Sequence, residues 1–193
     1  MCKKGILFVI SAPSGAGKTT LCEKALESSQ GMMVRSISMT TRQAREGEIE
    51  GRDYFFVSKK EFEKKVLKNE FLEYAEVFGN YYGTPKKFVQ EHVNNNKDVM
   101  LNIDVQGAMQ IKKSFRENSI FIFILPPSLE ALKKRLLKRK TDSKSQIKKR
   151  LEVAKNELSY VKRYDYAIIN DKLKTAFRQL SSIIIAARCK ITK

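Results

Sequence analysis

Short apolar runs alternate with amphipathic segments along most of this chain. Continuous apolar runs predict buried strands, which we place at residues 6–11, 34–38, 71–77, 99–103, 120–125 and 166–169. Apolar residues at helical spacing predict helices, which begin at Thr20 and Ser58 and cover about residues 84–95, 107–115, 128–138, 145–161 and 172–188. Strands that alternate with helices are typical of a parallel sheet covered on both faces. The pattern therefore predicts an α/β fold.

Two pairs of residues mark helix starts. Ser58 precedes Glu61 by three positions, the spacing of a capping box, and apolar Phe62 follows. Thr84 and Pro85 predict a cap and a first-turn residue for the helix at 84–95.

The segment between Ser36 and Thr84 breaks the alternation. It is polar, turn-rich and aromatic, and it contains four glycines. We interpret it as a small mixed insertion. The chain has 193 residues, of which 42% are hydrophobic, and it carries no proline-rich linker. These properties predict one compact domain.

The chain is strongly basic, with a formal net charge of +17. Such a charge favours an anionic partner, either nucleic acid or small phosphorylated molecules, although a lysine-rich solvated surface is an open alternative. From Lys133 to Arg150 there are ten Lys or Arg residues and the single carboxylate Asp142. This stretch has no aromatic residue on which bases could stack. The sequence therefore disfavours a nucleic-acid partner.

Membrane and metal signals are weak in the sequence. No apolar run approaches the roughly 20 residues needed to span a bilayer, so we expect no membrane partner. Cys2, Cys22 and Cys189 are far apart and lack metal-ligand spacing. Reduced thiols and a cytoplasmic location are the expectation.

The strongest motif lies between the first strand and the first helix. A strand that turns through glycines into a helix directs backbone N–H groups inward, so a polyphosphate meets donors and the positive helix end. A lysine supplies a point charge there, and a following hydroxyl faces Mg²⁺. The alternative is an ordinary turn with a solvated lysine. The residues are Ala12, Pro13, Ser14, Gly15, Ala16, Gly17, Lys18, Thr19 and Thr20, with Ala12 where the usual pattern has glycine.

A second run, SMTTRQAREGEIEGRDY, begins at Ser38 and ends at Tyr54. Arg42 and Arg45 can each offer paired N–H donors to one phosphate, and a tyrosine hydroxyl could complete the clamp. A charged hairpin surface is the alternative interpretation.

A third run places Glu73 in an apolar strand, followed by Tyr82 and Thr84. A buried carboxylate must find donors, and guanine offers its N1–H and its 2-amino group. Glu73 is therefore a candidate base reader. The alternative is a glutamate on the strand surface with the tyrosines in the core.

These runs and the later IDVQG segment, in this order, resemble the guanylate kinase family over almost the whole chain. The resemblance implies a three-layer P-loop NTPase fold with a parallel core sheet, a mixed α/β nucleotide-monophosphate-binding insertion and a helical lid. It divides the single domain into a core of about residues 1–35, 86–126 and 160–193, a GMP-binding region of about 36–85 and a lid of about 127–159.

The resemblance also implies an activity, the transfer of the terminal phosphoryl group of ATP to GMP with Mg²⁺ in purine nucleotide metabolism. The products would be ADP and GDP, and dGMP is an open alternative acceptor. The rival is a catalytically inactive protein-interaction module of the same fold. Intact Gly17, Lys18 and lid arginines argue against that rival, because a pure binding module needs no donor site. The oligomeric state stays open.

Roles follow from the resemblance residue by residue. Asp104 would assist guanine recognition and the magnesium region, although a strand-end cap is an alternative reading. Asn102 stands where similar enzymes commonly have an acid, and Lys140 where they often have glycine. The implied GMP-binding residues are Ser38, Arg42, Arg45, Tyr54, Glu73, Tyr82, Thr84 and Asp104. The implied ATP-binding residues are those of the glycine loop together with Arg135, Arg139 and Asn170. The implied catalytic residues are Lys18, Arg42, Arg139 and Arg150. Thr19 would support Mg²⁺ through the nucleotide.

Overall fold

The computed structural model describes residues 4–138 and 143–191. Two lid positions singled out in the sequence, Arg139 and Lys140, lie outside the described residues. The strands are β1 (Leu7–Ser11), β2 (Met33–Arg35), β3 (Met39–Thr40), β4 (Phe55–Phe56), β5 (Phe71–Val77), β6 (Asn80–Pro85), β7 (Asp98–Asn102), β8 (Ser119–Leu125) and β9 (Tyr166–Ile169). The helices are α1 (Lys18–Ser28), α2 (Lys59–Leu67), α3 (Lys86–Asn94), α4 (Val105–Ser114), α5 (Leu129–Lys138), α6 (Lys144–Leu158) and α7 (Leu173–Cys189).

The core is a parallel sheet with the strand order β2-β7-β1-β8-β9, five strands within the described part of the chain. Every pairing in it is parallel. All five residues of the central strand β1 are buried, as expected of a strand covered on both faces. The predicted α/β fold with a parallel core sheet is confirmed.

Alternate residues of β1 enter two different hydrophobic clusters, because successive side chains of a strand point to opposite faces. Phe8 and Ile10 pack with residues of α1 and α7. Leu7 and Val9 pack with residues of α3 and α4. The sheet therefore lies between two helical layers, which gives the three-layer architecture.

The insertion contains a second sheet with the order β4-β3-β6-β5, four strands among residues 39–85. Its β3–β4 pair is parallel, whereas β3–β6 and β5–β6 are antiparallel. Helix α2 packs on it through buried Phe62, whose ring stacks at 4.5 Å on Phe71 and at 5.5 Å on Tyr81 between centroids. The predicted mixed insertion is confirmed.

The two predicted helix starts have different outcomes. Ser58 Oγ accepts a hydrogen bond from the Glu61 amide at 3.1 Å and caps α2. The prediction for Thr84 is wrong, because Thr84 and Pro85 are the last residues of strand β6 and α3 begins at Lys86. Thr84 pairs with Glu73 across the sheet, and this tertiary pairing decides its conformation.

Helices α5 and α6 form a pair with a hydrophobic cluster of their own. Its buried members are Leu132, Leu136, Ile147 and Ala154. A capping box between Ser143 and Gln146 starts α6. None of the described helices has the length and apolar character that crossing a membrane requires.

Candidate active site

The loop after β1 is built on two left-handed glycines. Gly15 has φ of 94° and Gly17 of 88°, conformations that residues with a side chain rarely adopt. Gly17 is also the N-cap of α1, which begins at Lys18 without a side-chain cap. This is the arrangement in which a helix end receives an anion.

Lys18 is held at the carboxyl end of β7. Its Nζ donates a hydrogen bond to the Ile103 carbonyl at 2.7 Å. Burial lowers the pKa of Lys18, and the nearby Cys22, Glu157 and Asp104 oppose that shift. The ammonium group therefore lies at the base of the loop among carboxylates.

Two residues that the sequence predicts for ATP contact the backbone of the loop at Ala16. Asn170 is 5% exposed, and its Nδ2 donates to the Ala16 carbonyl at 2.8 Å. Arg135 donates to the Asn170 carbonyl at 2.8 Å and to the Ala16 carbonyl at 3.4 Å. A methyl group at Gly17 would lie 3.7 Å from Cγ of Asn170 and nearer still to its amide nitrogen. Asn170 and Arg135 thus brace the loop in this structure.

The arginines of the insertion share one carboxylate. Arg42 Nη2 donates to Glu48 Oε1 at 2.9 Å, and the Arg45 amide donates to Glu48 Oε2 at 2.8 Å. Arg42 Nε also donates to the Tyr82 hydroxyl at 3.3 Å, and its guanidinium carbon lies 5.4 Å from the centroid of the Tyr54 ring. Glu48 therefore orients the cluster, a role that sequence reasoning did not assign.

Glu73 is a buried carboxylate at the floor of the insertion. It is 5% exposed, and its Oε1 accepts a hydrogen bond from Thr84 Oγ1 at 2.6 Å. Burial raises the pKa of Glu73 to about 7, helped by the charge of Asp104 and opposed by hydrogen bonds from Thr84. Thr84 is fully buried and is not part of the cleft lining, so its hydroxyl holds the Glu73 carboxylate from the protein interior.

Asp104 caps a helix, as the alternative reading expects, and its role toward guanine and Mg²⁺ stays a prediction. Its Oδ1 accepts from the Gly107 amide at 3.0 Å and caps α4, and its Oδ2 accepts from Gln106 Nε2 at 3.2 Å. It also lines the same cleft as Lys18 and Glu73. The same carboxylate of Asp104 therefore caps α4 and lines the cleft.

Helix α6 adds three residues of one face to the cleft. Arg150 Nη1 donates to Ser14 Oγ at 3.0 Å, and its guanidinium carbon lies 5.8 Å from the centroid of the Phe78 ring. Val153 and Glu157 line the cleft beyond Arg150, and burial raises the pKa of Glu157 to about 7. Sequence reasoning missed Val153, Glu157 and Phe78. The spacing of positions 150, 153 and 157 along one helix face was the available signal.

These groups surround one cleft of about 320 Å³. Among the predicted site residues, Ala16, Thr84, Arg135 and Asn170 are not part of its lining, and Arg139 is not described. The predicted residues that do line it are Ala12, Pro13, Ser14, Gly15, Gly17, Lys18, Thr19, Thr20, Ser38, Arg42, Arg45, Tyr54, Glu73, Tyr82, Asp104 and Arg150.

A parallel sheet whose first strand leads through a glycine loop and a lysine into a helix defines the class of P-loop NTPases. The family model described as "Guanylate kinase" matches residues 4–187. The chain belongs to the guanylate kinase family.

Individual relatives agree over nearly the full length. The guanylate kinase of Clostridium tetani is 50% identical over 191 residues, which are 99% of this chain and 90% of that protein. That of Wolbachia sp. subsp. Brugia malayi is 49% identical over 187 residues, 97% of this chain and 95% of that protein. The crystal structure of guanylate kinase from Anaplasma phagocytophilum superposes with a TM-score of 0.83 at 38% identity, covering 97% of this chain and 88% of that chain.

Proposed function

We propose that this cleft transfers the terminal phosphoryl group of ATP to GMP and releases ADP and GDP. The observation that carries the proposal is that Lys18 of the phosphate loop, Arg42 of the insertion and the buried carboxylate of Glu73 line one cavity. Direct transfer requires donor and acceptor phosphates in the same space, in line and shielded from water. Family membership supports the same reaction.

The donor phosphates occupy the glycine loop. Its amides, the N-terminus of α1 and Lys18 neutralise charge on the transferring group, since phosphoryl transfer needs positioning and charge stabilisation more than covalent chemistry. Lys18 exchanges its bond to the Ile103 carbonyl for a phosphate oxygen. Asn170 and Arg135 keep the loop in shape through the Ala16 carbonyl, and Arg150 adds a positive charge from the lid.

The donor set at the loop fits Mg²⁺. The Thr19 hydroxyl and the side chains of Asn102 and Asp104 offer the oxygen ligands that this ion prefers. The described residues contain no group of three or more His, Cys, Asp or Glu that could hold a metal by themselves. Mg²⁺ would therefore be held chiefly by nucleotide phosphates with help from Thr19, and it supplies charge neutralisation.

The acceptor occupies the insertion. Arg42 and Arg45 bind the GMP phosphate, and the hydroxyls of Tyr54 and Tyr82 donate further hydrogen bonds to it. The Glu73 carboxylate accepts from N1–H and the 2-amino group of guanine. Three further residues support recognition of the base, namely Ser38, Thr84 and Asp104.

The three regions act as separate working parts. Residues 1–35, 86–126 and 160–193 form the core, residues 36–85 hold GMP, and residues 127–159 form a lid that excludes water when it closes. The separate hydrophobic cluster of α5 and α6 supports this division. We assign the reaction to purine nucleotide metabolism in the cytoplasm, where free thiols such as Cys22 and Cys189 persist.

The test is an ADP-release assay with ATP and Mg²⁺ and, in turn, GMP, AMP, CMP or UMP. We expect ADP release that depends on GMP and greatly exceeds the rate with the other three acceptors. A protein that binds GMP but releases ADP no faster than without an acceptor would be an interaction module instead.

A further inference from the structure

Gly107 occupies a position that does not require glycine for its backbone. It is the third residue of α4, and its φ is not positive. In a helix, glycine is less favourable than alanine by up to about 1 kcal/mol. Its presence therefore calls for another physical reason.

The space above Gly107 is occupied by the Glu73 side chain. A methyl group at Gly107 would lie 2.7 Å from Cδ of Glu73 and closer still to its Oε2. The next neighbour, Asp104 Oδ1, would be 3.4 Å away, which is an ordinary contact. The absence of one side chain on α4 thus makes room for one carboxylate from β5.

The carboxylate is fixed from the other side as well. Thr84 Oγ1 donates to its Oε1 at 2.6 Å, so the group lies between the Thr84 hydroxyl and the first turn of α4. The two nearest atoms that a methyl would meet belong to the far end of the Glu73 side chain, and no backbone atom is among the three nearest. An added methyl would therefore displace the carboxylate and leave the backbone in place.

We propose that Gly107 is a positioning and specificity residue whose missing side chain sets where the Glu73 carboxylate stands and hence how it reads guanine. The proposal rests on the proposed function of the cleft. Two acceptor oxygens can meet N1–H and the 2-amino group together only at one location and angle. If the Glu73 carboxylate is displaced, we expect it to lose one of its two hydrogen bonds to guanine, the one to the 2-amino group.

The test compares Gly107→Ala with wild type, using GMP and inosine monophosphate, which has N1–H but no 2-amino group. We expect kcat/KM for GMP to fall about tenfold or more and that for inosine monophosphate to fall much less, because a paired contact becomes a single one. KM for ATP should stay within about twofold. The melting temperature should not fall, since alanine favours the helix. Lys113→Ala, an exposed change on the same helix, is the matched control.

A second variant tests the steric cause. Glu73→Asp shortens the side chain by one methylene, so it should cost less activity toward GMP in the Gly107→Ala background than in wild type, a coupling between contacting residues. Additive losses would overturn the proposal, as would an unchanged ratio of kcat/KM for GMP to that for inosine monophosphate. An unfolded Gly107→Ala protein would also overturn it, because the methyl would then collide with more than one side chain. Inactive wild type on GMP would instead contradict the proposed function.

Discussion

Arg150 of helix α6 donates a hydrogen bond to Ser14 of the phosphate loop at 3.0 Å while its guanidinium lies over the ring of Phe78. Phe78 belongs to the turn between β5 and β6 and is 47% exposed. One side chain of α6 therefore contacts both the phosphate loop and the insertion. Helix α6, the phosphate loop and the turn between β5 and β6 meet at this residue.

Removing the ring of Phe78 tests whether it holds Arg150 in place. A cation–π contact at an exposed site contributes about 0.5–1 kcal/mol, so we expect Phe78→Leu to lower kcat/KM for ATP roughly two- to fivefold. Phe78→Tyr keeps the ring and serves as the matched control. Equal values of kcat/KM for the Leu and Tyr variants would mean that the ring does not act on Arg150.

Lys18→Ala should abolish most phosphoryl transfer without unfolding the protein. Loss of one group that stabilises transition-state charge costs about 10²–10³ in kcat. The ammonium group is buried with a lowered pKa, so its removal relieves a desolvation cost. Lys24→Ala, on the exposed face of the same helix, is the control. The measurements are kcat, the affinity for GMP and the melting temperature, and near-normal turnover in a folded variant would contradict the donor-site assignment.

Arg42→Lys and Arg45→Lys should each weaken productive binding of GMP. Lysine replaces a planar pair of donors by a point charge, and hydrogen bonds to charged groups contribute about 1.5–3 kcal/mol each. We therefore expect KM for GMP to rise more than tenfold, with KM for ATP nearly unchanged. Arg52→Lys is the matched control, because Arg52 lies in the same insertion, is 57% exposed and pairs with Asp53. Wild-type affinity for GMP in both test variants would exclude these arginines from the clamp.

Glu73→Gln should narrow the preference for GMP over AMP. The change keeps size and replaces one acceptor by an NH₂ donor that faces a guanine donor. A site built to bond such donors can reject an analogue by about 10⁴-fold, so kcat/KM for GMP should fall far more than ATP binding changes. Glu76→Gln, an exposed position on the same strand, is the control. An unchanged ratio of kcat/KM for GMP and AMP would remove Glu73 from the base-reading site.

Glu157 makes stability depend on pH in a defined direction. Its pKa is about 7 in the folded protein, raised by burial from 4.5. The folded state therefore binds more protons than the unfolded state between these values, and the free energy of unfolding falls as pH rises from about 4.5 to 7. Glu157→Gln removes this fall in the free energy of unfolding, because glutamine does not ionise.

The corresponding measurement is urea unfolding of both proteins at pH 5 and pH 8. The Gln variant should gain stability relative to wild type by about 1–3 kcal/mol between these pH values, since one pKa unit corresponds to 1.36 kcal/mol. Glu152→Gln, an exposed change on the same helix, should show no such gain. A relative stability that does not vary with pH would mean that Glu157 ionises normally in the folded protein.

Buried strands could be read from the sequence because their environment imposes a continuous apolar pattern. The strand predicted at 71–77 agrees with β5 at both ends, and the one predicted at 120–125 differs from β8 by one residue. The short strands β3 and β4 and strand β6 were not predicted. They are held by pairing with distant segments, and β6 ends in Gly83, Thr84 and Pro85, whose local chemistry favours turns and caps.

The loop and arginine motifs were recognisable because their chemistry is encoded locally. The inward face of α6 was not, since the sequence shows the spacing of Arg150, Val153 and Glu157 but not which side packs on the cleft. The same limit applies to Asn170, whose amide bonds to Ala16 in a loop 154 residues away. Their roles toward the nucleotides stay predictions.

The separate hydrophobic cluster of α5 and α6 bears on how the cleft opens. Leu132, Leu136, Ile147 and Ala154 form a cluster that is separate from the two clusters flanking the sheet. A region whose buried contacts form a small cluster of their own opens at a lower free energy than the whole fold, so we expect α5 and α6 to move before the buried strand β1 does. We therefore expect nucleotides to exchange through a local opening at α5 and α6, while the strand that carries the phosphate loop keeps its place in the core.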